Sequence, residues 1–407
     1  MRKALLMGSF AVIALTMGCA NTTSSEKTTL SWWDTYGSRD GTDVSVINAI
    51  EKFEDANPDI AIERVSVPFS EMQRKLLLAM VGGELPDIMI VDNPNHQALA
   101  AAGALADLTS FVEEWGEADL YFEGPWESTM YQGRNYGLPF GSNNLALFYN
   151  EEVLADIGVD PPETWDELME TAEALTETDI NYPLSVAAVQ SEEGSFQFLP
   201  FLWQAGGDLD QLRSDETAEA LSLWKDMIDQ GYMSREVLTL NQQDVAMQFV
   251  NGSTAMMVNG TWQVEQLRDS LDFDWGVVPL PAKEEQATAI GGENFAIGSS
   301  SDHIEEAWQV LSFLQEEEVL LEMVQAKNYL PAREDLIENP YWQDDEYYQA
   351  FATSMEFARP RAYGEQYPAI SNEVQNMIQG VLSGSQEMDE AINRTATEVE
   401  ALFELNQ

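Results

Sequence analysis

The stretch "PDIMIVD" sets Ile88, Met89, Ile90 and Val91 in an unbroken row. A strand with one wet face alternates apolar and polar side chains, so a row of this kind requires cover on both faces. Helices on either side of a sheet provide it. The flanking sequence agrees: "TLSWWDTYGS" reads as a short strand opening into a polar and aromatic loop, and Val46, Ile47, Ile50 and Phe53 then mark one face of a helix that stops at Asn57-Pro58. After the strand "IAIERVSV", Ser70 and Gln73 predict a capping box for a helix through Val81 that Gly82-Gly83 ends. These are β-α-β units, and they predict an α/β fold with helices over a largely parallel sheet.

The pattern resumes later in the chain. "GLPFGSNNLALFYN" reads as a strand, Thr164 and Glu167 as the cap of the next helix, and "TAMMV" and "WGVVPLP" as further strands. A helix is expected from Glu305 to Leu321, and others around Glu373 to Leu382 and from Met388 to Leu405. At 407 residues the chain exceeds one hydrophobic core, and two domains are expected. With no linker between them, the chain should cross from one to the other more than once.

Arg2 and Lys3, an apolar run from Ala4 to Met17, then Gly18 and the only cysteine, Cys19, read as a secretory signal peptide too short to span a membrane. The small residue before Cys19 resembles a bacterial lipobox, with Thr16 where that motif has Leu, and it makes Cys19 the lipid-bearing first residue of the mature protein. Plain cleavage near Ala20 and release is the alternative. Residues 1–19 are then the signal and 20–29 a polar tether. The formal charge of -52 repels nucleic acid and anionic membranes, so neither is an expected partner. Its acids are spread over the chain as a solvated surface, as suits a saline or alkaline habitat.

Several residues invite two readings each. Trp262 follows "AMMV" and the expected turn Asn259-Gly260, and is either core or site. Asn143 and Asn144 interrupt an apolar strand, as a bulge or hinge or as ligand contacts. Glu71 stands in a helix's first turn, where the helix dipole alone favours a carboxylate. Asp92 ends its strand at the carboxyl edge of the sheet, where open α/β folds bind ligands, with capping of a helix as the alternative. Trp33, Asp34 and Tyr36 sit on the loop after the first strand. Gly291 and Gly292 permit close backbone approach or a tight turn, with Glu293 and Asn294 beside them. Trp224 and Trp308, at helical spacing with leucines, belong to the core.

Taken in order, "FEDANPDIAIE", "GGELPDIMIVD", "YGLPFGSNNLALFYNEEVLADIGVDPPETWDEL", "FLWQAGGDL", "GSTAMMVNGTW", "GGENFAI", "YLPAR" and "ARPRAYGEQYPAIS" resemble the bacterial extracellular solute-binding proteins of ABC sugar importers. The resemblance spans almost the whole mature chain. It implies a two-lobed periplasmic-binding-protein fold of type II, with a ligand cleft between lobes of residues 30–140 plus 264–320 and 141–263 plus 321–407. It also implies a monomeric lipoprotein that receives a mono- or oligosaccharide and hands it to membrane permease subunits. A sugar needs an apolar surface for its C–H face and planar polar groups for its hydroxyls. By resemblance, Trp262 stacks on the sugar, Trp203 is a second aromatic position, and Asn259, Tyr329 and Arg361 reach the cleft, with Arg333 a weaker match.

A secreted glycosidase needs two carboxylates at a set separation, and Glu71, Asp92 and Glu293 could be imagined so. A third reading is a receptor that presents its ligand to a sensor kinase. There is no G-x-S-x-G and no G-x-x-x-x-G-K, His96 and His303 lie far apart, and no loop has calcium-site spacing. Neither cofactor nor metal is expected.

Overall fold

The computed structural model describes residues 27–37 and 42–405. The leader and Cys19 lie outside them. Among the described residues the strands are β1 (Thr28–Asp34), β2 (Ile60–Ser66), β3 (Ile88–Asp92), β4 (Met130–Tyr131), β5 (Arg134–Asn135), β6 (Gly137–Asn143), β7 (Leu145–Asn150), β8 (Tyr182–Ser185), β9 (Thr254–Gly260), β10 (Trp275–Val278), β11 (Thr288–Ile297), β12 (Leu330–Pro331) and β13 (Ala358–Pro360).

They form two main sheets, each the centre of a lobe. The first has seven strands, in the order β12-β6-β11-β3-β1-β2, with β13 joining β11. The second has four, β10-β7-β9-β8, while β4 and β5 pair as a small hairpin. Strands β1, β2 and β3 run parallel, as their helical crossovers require, and Ile88 to Val91 are buried on both faces. The sheets as wholes are mixed, however, because β11 runs antiparallel to both β3 and β6, and β7 antiparallel to β9 and β10. The antiparallel members are the segments by which the chain passes between lobes and returns, so no covering helix fixes their direction.

One such passage is "GLPFGSNNLALFYN". It is two strands, β6 in the large sheet and β7 in the small one, broken at Asn144. Asn144 donates its side-chain amide to the Phe351 carbonyl at 2.9 Å. The second passage enters β11 at Thr288, whose hydroxyl donates to the Leu145 carbonyl at 2.8 Å and accepts from the Leu145 amide at 3.1 Å. The two crossings are thereby stitched together.

Other expectations need correction. Thr28 and Thr29 belong to β1, not to the tether, and Trp33 and Asp34 lie in that strand, not in the loop after it. The helix Phe69–Gly82 starts after Pro68 with no side-chain cap bond. Proline there fixes an extended entry on its own. Residues 305–321 are two helices, Ile304–Leu314 and Glu317–Lys327, because the first ends at Gln315. β10 pairs in the four-stranded sheet and β12 in the seven-stranded one, so the chain changes sheets neither at 264 nor at 321. The Thr164–Glu167 capping box and the closing helix Met388–Leu405 are present as read.

One core lies between the small sheet and the helices Glu192–Gln204, Asp215–Asp229, Tyr367–Ser383 and Met388–Leu405. A second packs the large sheet against Thr42–Ala56 and the two helices from Ile304 to Lys327, and reaches the other face of the small sheet through Phe148 and Trp275. The third, under Phe69–Gly82 and Asn93–Ala101, is smaller. Each fully buried Leu, Val or Phe contributes roughly 1.5–3 kcal/mol. Trp224 is buried as expected, and Trp308 is partly buried against Phe111 and Trp115.

Candidate functional site

A cleft of about 630 Å3 opens where the two lobes face each other. The large-sheet side supplies Thr35, Phe69, Asp92, Gly292, Glu293, Lys327 and Tyr329; the small-sheet side supplies Glu193, Phe196, Asn241, Gln242, Trp262 and Gln263; Asn143 and Arg361 lie at the crossings.

Trp262 follows β9, and the strand explains its position. Asn259 and Gly260 are the last two residues of β9, extended and paired with Ala146 and Leu145, so the expected turn is absent. Glycine is needed at 260 for a different reason: a Cβ there would stand 2.1 Å from the Trp262 ring. The indole lies against its own strand end, half-buried, with Phe196 at 6.3 Å between ring centroids. Gly260→Ala is expected to displace the ring and alter the near-ultraviolet circular dichroism of the tryptophans while the far-ultraviolet spectrum holds.

The floor is carboxylate-rich. Glu293 and Asp92 face each other across β11 and β3. Glu293 accepts hydrogen bonds from Tyr36 Oη at 2.9 Å and Thr35 Oγ1 at 3.0 Å. Arg361 reaches Asp92 Oδ1 with Nη2 at 3.5 Å, donates through Nη1 to Glu192, and stands 4.4 Å above the Phe196 ring. Glu192 also accepts from Tyr367 and Ser371. One guanidinium therefore ties a carboxylate of the large-sheet lobe to one of the small-sheet lobe.

Burial pushes the Asp92 carboxyl up to about 7, Arg361 opposes the rise, and Glu192 and Glu293 add to it. A carboxyl raised in the folded state binds its proton more tightly there than in the unfolded chain. Its contribution to stability is present below the ordinary value of 3.8 and lost as pH rises through about 7. Asp92→Asn cannot lose a proton, so its melting temperature is expected to gain on the parent's as pH rises across that window. A constant difference between the two melting curves would refute this.

Of the residues singled out from sequence, Asp92, Asn143, Trp262, Gly292, Glu293, Tyr329 and Arg361 line the cleft. The others lie elsewhere. Trp33 packs outward with Lys75 Nζ 3.8 Å from its ring, and Asp34 is buried on Arg64 at 2.6 Å. Tyr36 sits beneath the floor, below Glu293. Glu71 is exposed and pairs with Arg74 at 3.3 Å. Asn144 is the crossing residue, and Trp203 is buried with Nε1 donating to Tyr363 at 3.1 Å. Asn259 donates to the Gln242 carbonyl at 2.9 Å, and Asn294 to Ser128 at 3.0 Å. Arg333 is held by Asp335 and the Gln315 carbonyl. Gly292 makes no turn: its φ of 148° and a hypothetical Cβ 2.3 Å from the Gly141 carbonyl oxygen tie it to the β6–β11 pairing.

Sequence reading missed Thr35, Glu193, Phe196, Gln263 and the Asn241–Gln243 corner. The Asn241–Asp244 capping box was a legible signal for that corner, and it aims the helix's first residues at the cleft. Glu193 and Phe196 stand in the first turns of Glu192–Gln204, where nothing distinguishes them from helix surface. Among the described residues no group of three or more acids, histidines or cysteines could hold a metal, and no helix is long and apolar enough to cross a membrane.

The comparisons agree with this architecture. Residues 48–350 match the family described as bacterial extracellular solute-binding protein. The maltotriose-binding protein of Pyrococcus abyssi is 25% identical over 82% of this chain and 73% of its own, and the arabinooligosaccharide-binding protein of Halalkalibacterium halodurans 27% over 76% and 73%. Among solved structures, a Thermotoga lettingae ABC transporter solute-binding protein bound with α-D-tagatose superposes with a TM-score of 0.85 at 26% identity, covering 93% of this chain and 100% of that one. The GacH receptor of Streptomyces glaucescens, solved unliganded and with acarbose, gives 0.85 at 25%, covering 94% and 100%. The two-lobed α/β fold is thus matched along most of the sequence, and the chain belongs to the bacterial extracellular solute-binding protein family.

Proposed function

We propose that this chain captures a carbohydrate between its lobes and delivers it to the permease of an ABC importer. The observation that carries this reading is the half-buried indole of Trp262, set beside Phe196 in a cleft whose lining also carries carboxylates and side-chain amides. A sugar ring offers one C–H face to an aromatic surface and a rim of hydroxyls to carboxylates and amides. Relatives named for maltotriose and arabino-oligosaccharides, and neighbours solved with tagatose and acarbose, support the same class. The contacts proposed are Asp92, Asn143, Trp262, Gly292, Glu293, Tyr329 and Arg361, joined by Glu193, Phe196 and Gln263.

The lobes divide at the crossings near residues 144 and 288 and again beyond 331. Closure about those crossings brings the walls onto the ligand, and no bond is broken. Cys19 carries the lipid anchor that holds a monomer outside the cell membrane, and no cofactor takes part. A secreted glycosidase is the second reading, favoured by one observation: the raised Asp92 carboxyl opposite Glu293.

A thermal-shift screen against mono- and oligosaccharides tests the proposal, since a ligand bound only by the folded state raises the melting temperature. At least one sugar is expected to raise it, with no release of reducing ends on incubation. A flat screen would refute sugar capture, and released reducing ends would establish the glycosidase.

A further inference from the structure

The cleft is better equipped to accept hydrogen bonds than to donate them. Its lining contains the carboxylates Asp92, Glu193, Asp269 and Glu293, and Glu265 already paired with Arg268 at 2.6 Å, against two lining cations, Lys327 and Arg361. Arg361 is already held by Asp92 and by Glu192 behind it.

The inner acids carry most weight. Glu293 is 3% exposed and, among the described residues, receives only the hydroxyls of Tyr36 and Thr35 and has no ion pair. A buried carboxylate without a cation is costly unless something supplies one. Glu193, from the opposite lobe, takes a backbone N–H from Gln242 at 2.7 Å and likewise has no ion pair among the described residues. Among the described residues two further buried oxygens have no hydrogen-bond partner: Asp92 Oδ2, and Oε1 of Gln263, a residue 1% exposed beside Trp262.

A hydroxyl brings one donor and a surplus acceptor. An ammonium brings three donors, no acceptor and the missing charge, and aromatic faces such as Trp262 attract it as well. The geometry points to an aminated sugar, of the glucosamine-oligomer class, as the ligand this cleft selects, its protonated amines meeting lining carboxylates such as Glu293 and Glu193. This rests on the carbohydrate reading and narrows it. Phosphorylated polyols are disfavoured by the same walls.

Calorimetric titration tests it with four probes, at low salt and at a pH that keeps the amines charged: glucosamine trimer, its N-acetylated counterpart, maltotriose and spermidine. Glucosamine trimer is expected to bind at least about tenfold more tightly than its neutral counterpart. The advantage should shrink in about 0.5 M salt and in Glu293→Gln, which is expected to weaken glucosamine-trimer binding more than binding of the N-acetylated trimer. Glu193→Gln provides the second variant should Glu293→Gln fail to fold. If neutral trimers bind equally well or better, this inference falls while sugar capture stands. If spermidine outbinds every sugar, or no sugar binds, both fall.

Discussion

Arg361→Ala is expected to destabilise the chain by roughly 3–5 kcal/mol, the range seen when one partner of a buried ion pair is removed. The guanidinium is 3% exposed at its side chain and lies between Asp92 and Glu192, which come from different lobes. Without it two largely buried carboxyl groups lose their cation, and Phe196 loses the guanidinium over its ring. Denaturant unfolding measures the loss. Adding Asp92→Asn removes one stranded charge and should restore part of the stability. If the single variant unfolds like the parent, Arg361 is a ligand group carrying no structural burden.

Trp262→Ala is expected to weaken sugar binding by at least about tenfold, or ~1.4 kcal/mol, with the fold intact. The ring is half-buried, and Ala255 to Val258 below it stay packed in β9 without it. What it offers is a surface, so the effect should fall on affinity while the melting temperature of the empty protein changes little. Calorimetric titration with the best ligand of the screen, beside melting curves without ligand, separates the two. Equal affinity with a lowered melting temperature would make the indole a packing element.

Where sequence reading succeeded, local chemistry was enough. The apolar row Ile88 to Val91 could only be a doubly covered strand, and Asp92 at its end could only stand at the sheet's carboxyl edge. Where it failed, the deciding neighbour lay far along the chain. Trp203 and Trp262 are both aromatics near glycines, yet a tyrosine 160 positions away turns the first into core. Gly260 suggested a turn because the Asn-Gly pair usually does, whereas the ring two residues on is what excludes a side chain. "GLPFGSNNLALFYN" has the composition of one strand, and only its pairing partners assign its halves to different sheets. The opposition of Asp92 and Glu293 was equally hidden, since it depends on β11 entering the first sheet against β3.

The Thr288 hydroxyl grips Leu145 at both its amide and its carbonyl. Two straps paired along β6 and β11 and pinned to one another here cannot flex independently. With the third crossing beyond residue 331 as a further attachment, the joint is expected to favour a swing near Leu145 and Thr288 over sliding and twisting. Closure of the proposed kind would then bring the same indole and the same carboxylates to the same register each time.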